Sequence, residues 1–438
     1  MTLLRDDYLY LKPSQDNLAE IASMSPAENC CPIEPVCDSS LETLSAKGML
    51  GERDRTDPSQ THKMNQPQDN QQPRPPTVPG GQMSLDSVFY IDRPILESLC
   101  YEAIQEPGAS IDIRAPKQMG KTSLMTRILA YSETLGHNTV SVSLQLADAE
   151  ILQNLERFLQ WFCTRVSKQL DLPNAISLWE IAFGSGLNLW DNLLGSKSNA
   201  TDYFEDVVLA NLDRPLVIAI DELNQLFAYP EIAREFLQLL RTWSERAKEG
   251  DADMNPWHKL RLVTVHSTEI LMPPSIDPSL LNTGLVIELP EFTQTQMQDL
   301  GNRCQQEITA TQTQRLIALL GGHPYRLQLA FYYLHQQTIN LEELLENSAL
   351  PSSLVALGIA AAIYADHLEQ QWWNLQRYPD LLPSFTEIVR QSSPVDCKAL
   401  QCSQLSKMGL VYLHGTKASL ACELLRPFFC DRLGQISS

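Results

Sequence analysis

One short run constrains this chain more than any other: Ser110-Ile-Asp-Ile-Arg-Ala-Pro-Lys-Gln-Met-Gly-Lys-Thr-Ser-Leu. Isoleucines at alternate positions lead into a loop, and Gly120-Lys121-Thr122 opens a helical stretch, which is the strand–loop–helix setting of a phosphate-binding loop. Such a loop turns successive main-chain N–H groups toward an anion, and the helix start adds its positive end. On this reading Gln118, Met119, Gly120, Lys121, Thr122 and Ser123 surround the phosphates of a nucleotide. Lys121 reaches the β- and γ-phosphates, and Thr122 places its hydroxyl on Mg2+. The pattern G-x-x-x-x-G-K-[ST] asks for glycine where this chain has Ala115, followed by Pro116. A residue before proline is held extended and proline has no N–H to donate. The loop entry therefore differs, while the N–H groups nearest the β-phosphate are all present.

Downstream, Arg214-Pro-Leu-Val-Ile-Ala-Ile-Asp-Glu places two acids at the end of an apolar strand. Alone this is a buried strand emerging into solvent. With a phosphate loop upstream, Asp221 falls where a carboxylate orients a Mg2+ shell, and Glu222 where one polarises the attacking water. Lys121, Asp221 and Glu222 are thus the candidate catalytic residues, with Thr122 and Asp221 as the metal ligands. A third strand, Leu260-Arg-Leu-Val-Thr-Val-His-Ser-Thr-Glu, ends in polar residues, and Ser267 or Thr268 is placed to sense the γ-phosphate. His266 and Glu269 fit a structural role equally well. Arg241 and Arg246 read as the solvated edge of an amphipathic helix, with an arginine finger as the alternative.

Short β-branched runs at Ile111–Ile113, Thr139–Leu146, Leu216–Ile220, Leu260–Val265 and Leu285–Leu289 suit buried parallel strands. Helical stretches at Ser123–Leu135, Leu152–Leu170 and Ile232–Lys248 alternate with them, so helices are expected on both faces of a parallel sheet. After Thr293 the pattern is helical, through Gln296–Cys304, Gln312–Leu320 and Tyr325–His335. Near the C-terminus, Gly409-Leu-Val-Tyr-Leu-His-Gly-Thr-Lys-Ala-Ser-Leu-Ala alternates like a hairpin with glycine at the turn. The fold class is α/β: a three-layer αβα core of P-loop NTPase type with a parallel sheet, then a helical segment, which the family resemblance given below makes a helical lid, and a C-terminal winged helix. The expected divisions are a small winged-helix-like unit at 1–52, a disordered Pro/Gln-rich linker at 53–84, the core at 85–292, the lid at 293–349 and the winged helix at 350–438.

Charge narrows the partners. Lys and Arg total 33 against 53 Asp and Glu, a formal net charge of −20, so the surface as a whole is no nucleic-acid footprint. DNA binding through the winged helix is correspondingly disfavoured, since the Lys398–Lys407 segment carries only its two terminal lysines. Acidity directs the expectation toward protein partners or self-association. No apolar run is long enough for a membrane span, and the N-terminus has acidic residues where a signal peptide would be basic. A cytoplasmic location is expected. Cys30, Cys31 and Cys37 lack the spacing of a zinc site and are expected to be free thiols.

Several runs together carry a resemblance: Phe89-Tyr-Ile-Asp-Arg-Pro, Arg114-Ala-Pro-Lys-Gln-Met-Gly-Lys-Thr-Ser-Leu, Ile220-Asp-Glu, Leu240-Arg-Thr-Trp-Ser-Glu-Arg, Val265-His-Ser-Thr-Glu and Gly321-Gly-His-Pro-Tyr. In order and wording, over about Leu85 to Arg432, the chain resembles the AAA-like domain proteins of bacteria, mainly cyanobacteria. That family looks related to the STAND branch of AAA+ ATPases, and Ala115 belongs to its own loop wording. The resemblance implies ATP rather than GTP, with Tyr90 and Arg93 near the adenine and Pro324 set against the nucleotide from the lid. It implies an ATP-dependent regulatory switch with slow, Mg2+-dependent hydrolysis. The alternatives are a nucleotide-dependent DNA binder and a scaffold that binds ATP without turnover.

Overall fold

The computed structural model describes residues 76, 78–172, 190, 193–249, 254–346 and 358–436. The expected unit at 1–52, with Cys30, Cys31 and Cys37, lies outside them. Residues 71–438 cluster as one compact unit.

Five strands form a sheet in the order β2-β3-β4-β1-β5: β1 (Ser110–Ala115), β2 (Asn138–Ser143), β3 (Leu216–Asp221), β4 (Leu260–Ser267) and β5 (Leu285–Glu288). Every neighbouring pair is parallel. Period-2 alternation sends Val217, Ala219, Val263 and Val265 to one face, where they join Ile111 and Ile113 in one core cluster. There they meet α1 (Pro94–Ala103) and α2 (Lys121–Thr134). Leu216, Ile218, Ile220, Leu260 and Leu262 face the other way. They pack with α3 (Leu155–Gln169), α4 (Ser196–Tyr203) and α5 (Pro230–Arg246), around Phe158, Phe236 and Trp243. Both faces are covered, which is why β3 and β4 are buried at every residue and lack a polar alternation. The strand expected at Thr139–Leu146 stops at Ser143. Leu144–Leu146 turn into a 3-10 helix that tucks Leu144 into the core and leaves Leu146 exposed.

Beyond β5 the chain is helical: α6 (Gln294–Arg303), α7 (Ala310–Leu320), α8 (Pro324–His335), α9 (Leu341–Glu346) and α10 (Gly358–Gln376). Thr293 with Gln296 and Thr309 with Gln312 make reciprocal capping boxes at the starts of α6 and α7. Gly321 closes α7, and Pro324 at the first turn of α8 needs no N–H partner there. The C-terminal part has α11 (Leu382–Arg390), β6 (Val395–Asp396), α12 (Ala399–Lys407), β7 (Val411–His414), β8 (Lys417–Leu420) and α13 (Leu425–Ile436). Its strands form an antiparallel sheet in the order β6-β8-β7, with Gly415 at the hairpin turn at φ 66°. All these helices and the small sheet share one apolar cluster, which includes Leu327, Phe331, Phe385, Leu405 and Phe429. Cys397 and Cys402 are joined by a disulfide with their Cα atoms 6.0 Å apart, a pairing the scattered cysteines did not suggest.

Candidate functional site

The carboxyl ends of β1, β3 and β4 lie side by side, and each delivers one part of the site. β1 runs through Ala115 into the loop, and Gly120 stands at φ 95°, a left-handed conformation that glycine adopts without strain, so that α2 starts at Lys121. Lys121 is 7% exposed, and its ammonium donates to the carbonyl of Pro116 at 2.7 Å. Burial lowers its pKa, while Glu269, Glu222 and Asp221 act to hold its charge.

β3 ends on Asp221, whose Oδ2 accepts from the Thr122 hydroxyl at 3.0 Å and whose Oδ1 accepts from the N–H of Glu222 at 2.8 Å. Burial raises the Asp221 pKa, and those two donors oppose it. The two residues assigned to the metal from sequence are therefore in direct contact. Among the described residues no three His, Cys, Asp or Glu side chains gather to hold a metal, and the Thr122 hydroxyl and Asp221 carboxylate are the pair in contact at the loop. That sparse set fits Mg2+, which is held mainly by phosphate oxygens and water. Glu222 itself sits in the left-handed region at φ 56°. Its Oε2 accepts from Asn224 Nδ2 at 3.1 Å, and the Asn224 Oδ1 accepts from the N–H of Ser267 at 2.7 Å. Asn224, absent from the sequence reading, bridges the ends of β3 and β4.

At the end of β4 the two candidate sensors part. Ser267 is buried, and its hydroxyl oxygen has no hydrogen-bond partner among the described residues. The Thr268 hydroxyl turns to the C-terminal sheet and helices instead, donating to the carbonyl of Lys407 at 2.5 Å. Of that pair, Ser267 stays with the site. Arg241 pairs with Glu245 along α5, and Arg246 pairs with Glu205, so both are engaged on the helix surface.

A cavity opens beside the loop, lined by Tyr90, Arg93, Gly120, Ser123, Phe292 and Pro324. Arg93 is 8% exposed, donates to the carbonyl of Met119 at 3.2 Å and lies over the Phe292 ring, and burial brings its pKa down to about 10. Its Nη1 has no hydrogen-bond partner among the described residues. Tyr90 donates to Glu97 at 2.7 Å under the Arg127 guanidinium; burial and that carboxylate raise its pKa. Gly80, Gly81 and Met83 line the same cavity, and the N–H of Met83 donates to the Ser123 hydroxyl at 3.0 Å. Gly80 and Gly81 carry no apolar bulk, which hid their part in the cavity from a compositional reading.

Across the loop, Gln118 stands at φ 61° and meets His367 of α10, with 2.7 Å between Gln118 Oε1 and His367 Nδ1. Arg326 of α8, fully buried, donates from Nε to His367 Nε2 at 3.0 Å and from Nη1 to Leu320 O and Cys422 Sγ. Burial holds His367 well below its ordinary pKa, so the ring is neutral; since Nε2 accepts from Arg326, Nδ1 carries the proton given to Gln118. The sequence held no signal for this pairing, because the partners are far apart in the chain.

No curated protein matches the sequence. Among solved structures the chain is similar to a Walker-type ATPase of Pyrococcus abyssi at 14% identity and TM-score 0.48, covering 77% of this chain and 95% of that one. It is similar to Cdc6p of Pyrobaculum aerophilum at 15% identity and TM-score 0.34, covering 80% and 96%. A third likeness is to AMPPCP-bound DnaA of Aquifex aeolicus, at 10% identity and TM-score 0.35, covering 78% and 86%. The AAA-like domain profile matches residues 78–431, most of the sequence, and the chain belongs to the AAA-like domain family.

Proposed function

We propose that the protein binds ATP with Mg2+ at the loop of residues 118–123 and hydrolyses it slowly, as a regulatory switch. The observation that carries this reading is the contact between Thr122 and Asp221, which joins the loop to the end of β3 above a buried Lys121. Bound Mg2+ would supply charge neutralisation at the phosphates. The chain's own groups do the rest. Lys121 is the cation for the β- and γ-phosphates, and Arg93 and Tyr90 wall the cavity on the side assigned to the base. Pro324 brings the start of α8 to the same cavity. Glu222, held by Asn224, is the base that takes a proton from the attacking water. The helical segment 293–349 acts as a lid and 350–438 as a winged helix in this reading. Protein partners or a second copy receive the output.

The test is thermal stability and phosphate release for wild type, Lys121→Ala and Glu222→Gln. ATP at about 100 times its dissociation constant stabilises wild type by roughly 2.7 kcal/mol. Lys121→Ala loses that shift. Glu222→Gln keeps the shift and loses turnover; turnover equal to wild type would remove Glu222 from the chemistry.

A further inference from the structure

Glu269 ends the third strand run, and the reaction above leaves it unused. It is 2% exposed. Oε1 accepts from the main-chain N–H of Lys117 at 2.9 Å, and Oε2 accepts from Asn374 Nδ2 of α10 at 2.6 Å. The loop entry explains the first contact. Ala115 continues β1 and Pro116 has no N–H, so Lys117 is the first donor the loop presents, and a carboxylate of the chain itself takes it. Of the three carboxylates that act on Lys121, Glu269 acts most strongly, ahead of Glu222 and Asp221. A phosphate loop is built to concentrate positive potential. Here a buried carboxyl group already accepts from the loop's entry donor; burial raises its pKa, while the Lys117 N–H, Lys121 and Asn374 act to hold its charge.

We propose that Glu269 is a specificity-determining residue of the nucleotide site, an internal anion that competes with the third phosphate and makes the site favour a nucleoside diphosphate. The inference rests on the nucleotide-binding reading above. A diphosphate uses the N–H groups of residues 118–122, which Glu269 leaves alone. A triphosphate adds charge at the end where Glu269 and Lys121 already interact. A unit charge a few ångströms from another in a protein interior changes affinity by about tenfold or more. Asn374 gives the competition an outlet, because any shift of the carboxylate away from Lys117 also changes its bond to α10.

The experiment is calorimetric titration of the full chain with ADP and with AMPPNP, in EDTA and in Mg2+, for wild type, Glu269→Gln and Glu269→Asp. Wild type in EDTA is expected to bind ADP at least tenfold more tightly than AMPPNP. Glu269→Gln keeps an acceptor for Lys117 but removes the charge, and is expected to tighten AMPPNP until the two affinities agree within about threefold. Glu269→Asp retains the charge and is expected to retain the preference for ADP. Two results overturn the proposal: wild type binding AMPPNP as tightly as ADP, or Glu269→Gln weakening both nucleotides equally, as a purely structural role would. A wild-type ratio near one overturns the proposal even if the Gln variant does not fold, and Glu269→Ala then serves as the charge-removing variant. Binding of neither nucleotide to wild type instead overturns the nucleotide reading itself.

Discussion

Asn224 shows how much of this site depends on single atoms. Its amide nitrogen holds the Glu222 carboxylate and its oxygen holds the N–H of Ser267, all within a pocket where Asn224 is 2% exposed. Asn224→Ala leaves the Ser267 N–H buried without an acceptor, which costs about 1–3 kcal/mol. It also frees Glu222 to rotate, and misplacement of a reacting group by about 1 Å can cost roughly 100-fold in rate. The expected outcome is a lowered urea midpoint and a fall in turnover of ten- to a hundredfold, with ADP affinity unchanged. Asn224→Asp separates the two effects, since its carboxylate can still accept from Ser267 but repels Glu222. That variant should recover part of the stability without recovering turnover, and recovery of both would show that Asn224 is only a structural bridge.

At the scale of elements, the strands were legible because each is a short β-branched run with polar ends, and the acids at 221 and 222 were legible because they stop such a run. The loop was legible from Gly120-Lys121-Thr122, where one left-handed glycine and the helix start determine the geometry. What joins α8 and α10 to the loop was not, because periodicity reports which face of a helix is apolar and says nothing of which polar residue crosses to another element. Arg326, His367 and Gln118 are such a crossing. The same crossing predicts a pH response. His367 is hemmed by Arg326, and His323 by Arg326, His367 and Lys121; both rings are pushed well below the ordinary histidine pKa of 6.5, burial first. In the unfolded chain they take up protons below about pH 6.5, whereas in the folded chain they do not, so stability is full above that pH and falls as pH drops. Each ring contributes a loss of up to about 1.4 kcal/mol per pH unit below 6.5. Urea unfolding between pH 7.5 and 5.5 measures this, and His367→Gln should shrink the pH slope by one ring's share. An unchanged slope would mean that His367 accepts a proton in the folded state.

Over the whole molecule, the C-terminal helices and sheet touch the core and the start of the helical segment at three places around the candidate site. Thr268 bonds Lys407 at the end of α12, Gly409 lies against Pro116 at the loop entry, and Tyr412 of β7 bonds Glu291, which also accepts from the N–H of Gly322 at 3.0 Å. Gly322 has no room for a side chain there, since a Cβ would stand 2.5 Å from the Phe292 carbonyl oxygen. The last turn of α12 is thus held to the core. The helix bears lysines only at its flanks, at 398 and 407, in a chain of net charge −20. Phosphate backbones are bound through clustered cations. Double-stranded DNA is therefore expected to show no retention even at low salt, and a salt-dependent shift would favour the DNA-binding alternative. Two of the contacts, at Thr268 and Gly409, lie by the loop entry, and the third ties β7 to Glu291 and Gly322 ahead of α8, so loading the loop should loosen or tighten them. Hydrogen exchange can read this directly. Amides at 407–412 and 291–292 should change protection when nucleotide is added to wild type and should not change in Lys121→Ala. Altered exchange confined to residues 115–123 would instead mean that the site is occupied without informing the rest of the molecule, as a scaffold would require and a switch would not.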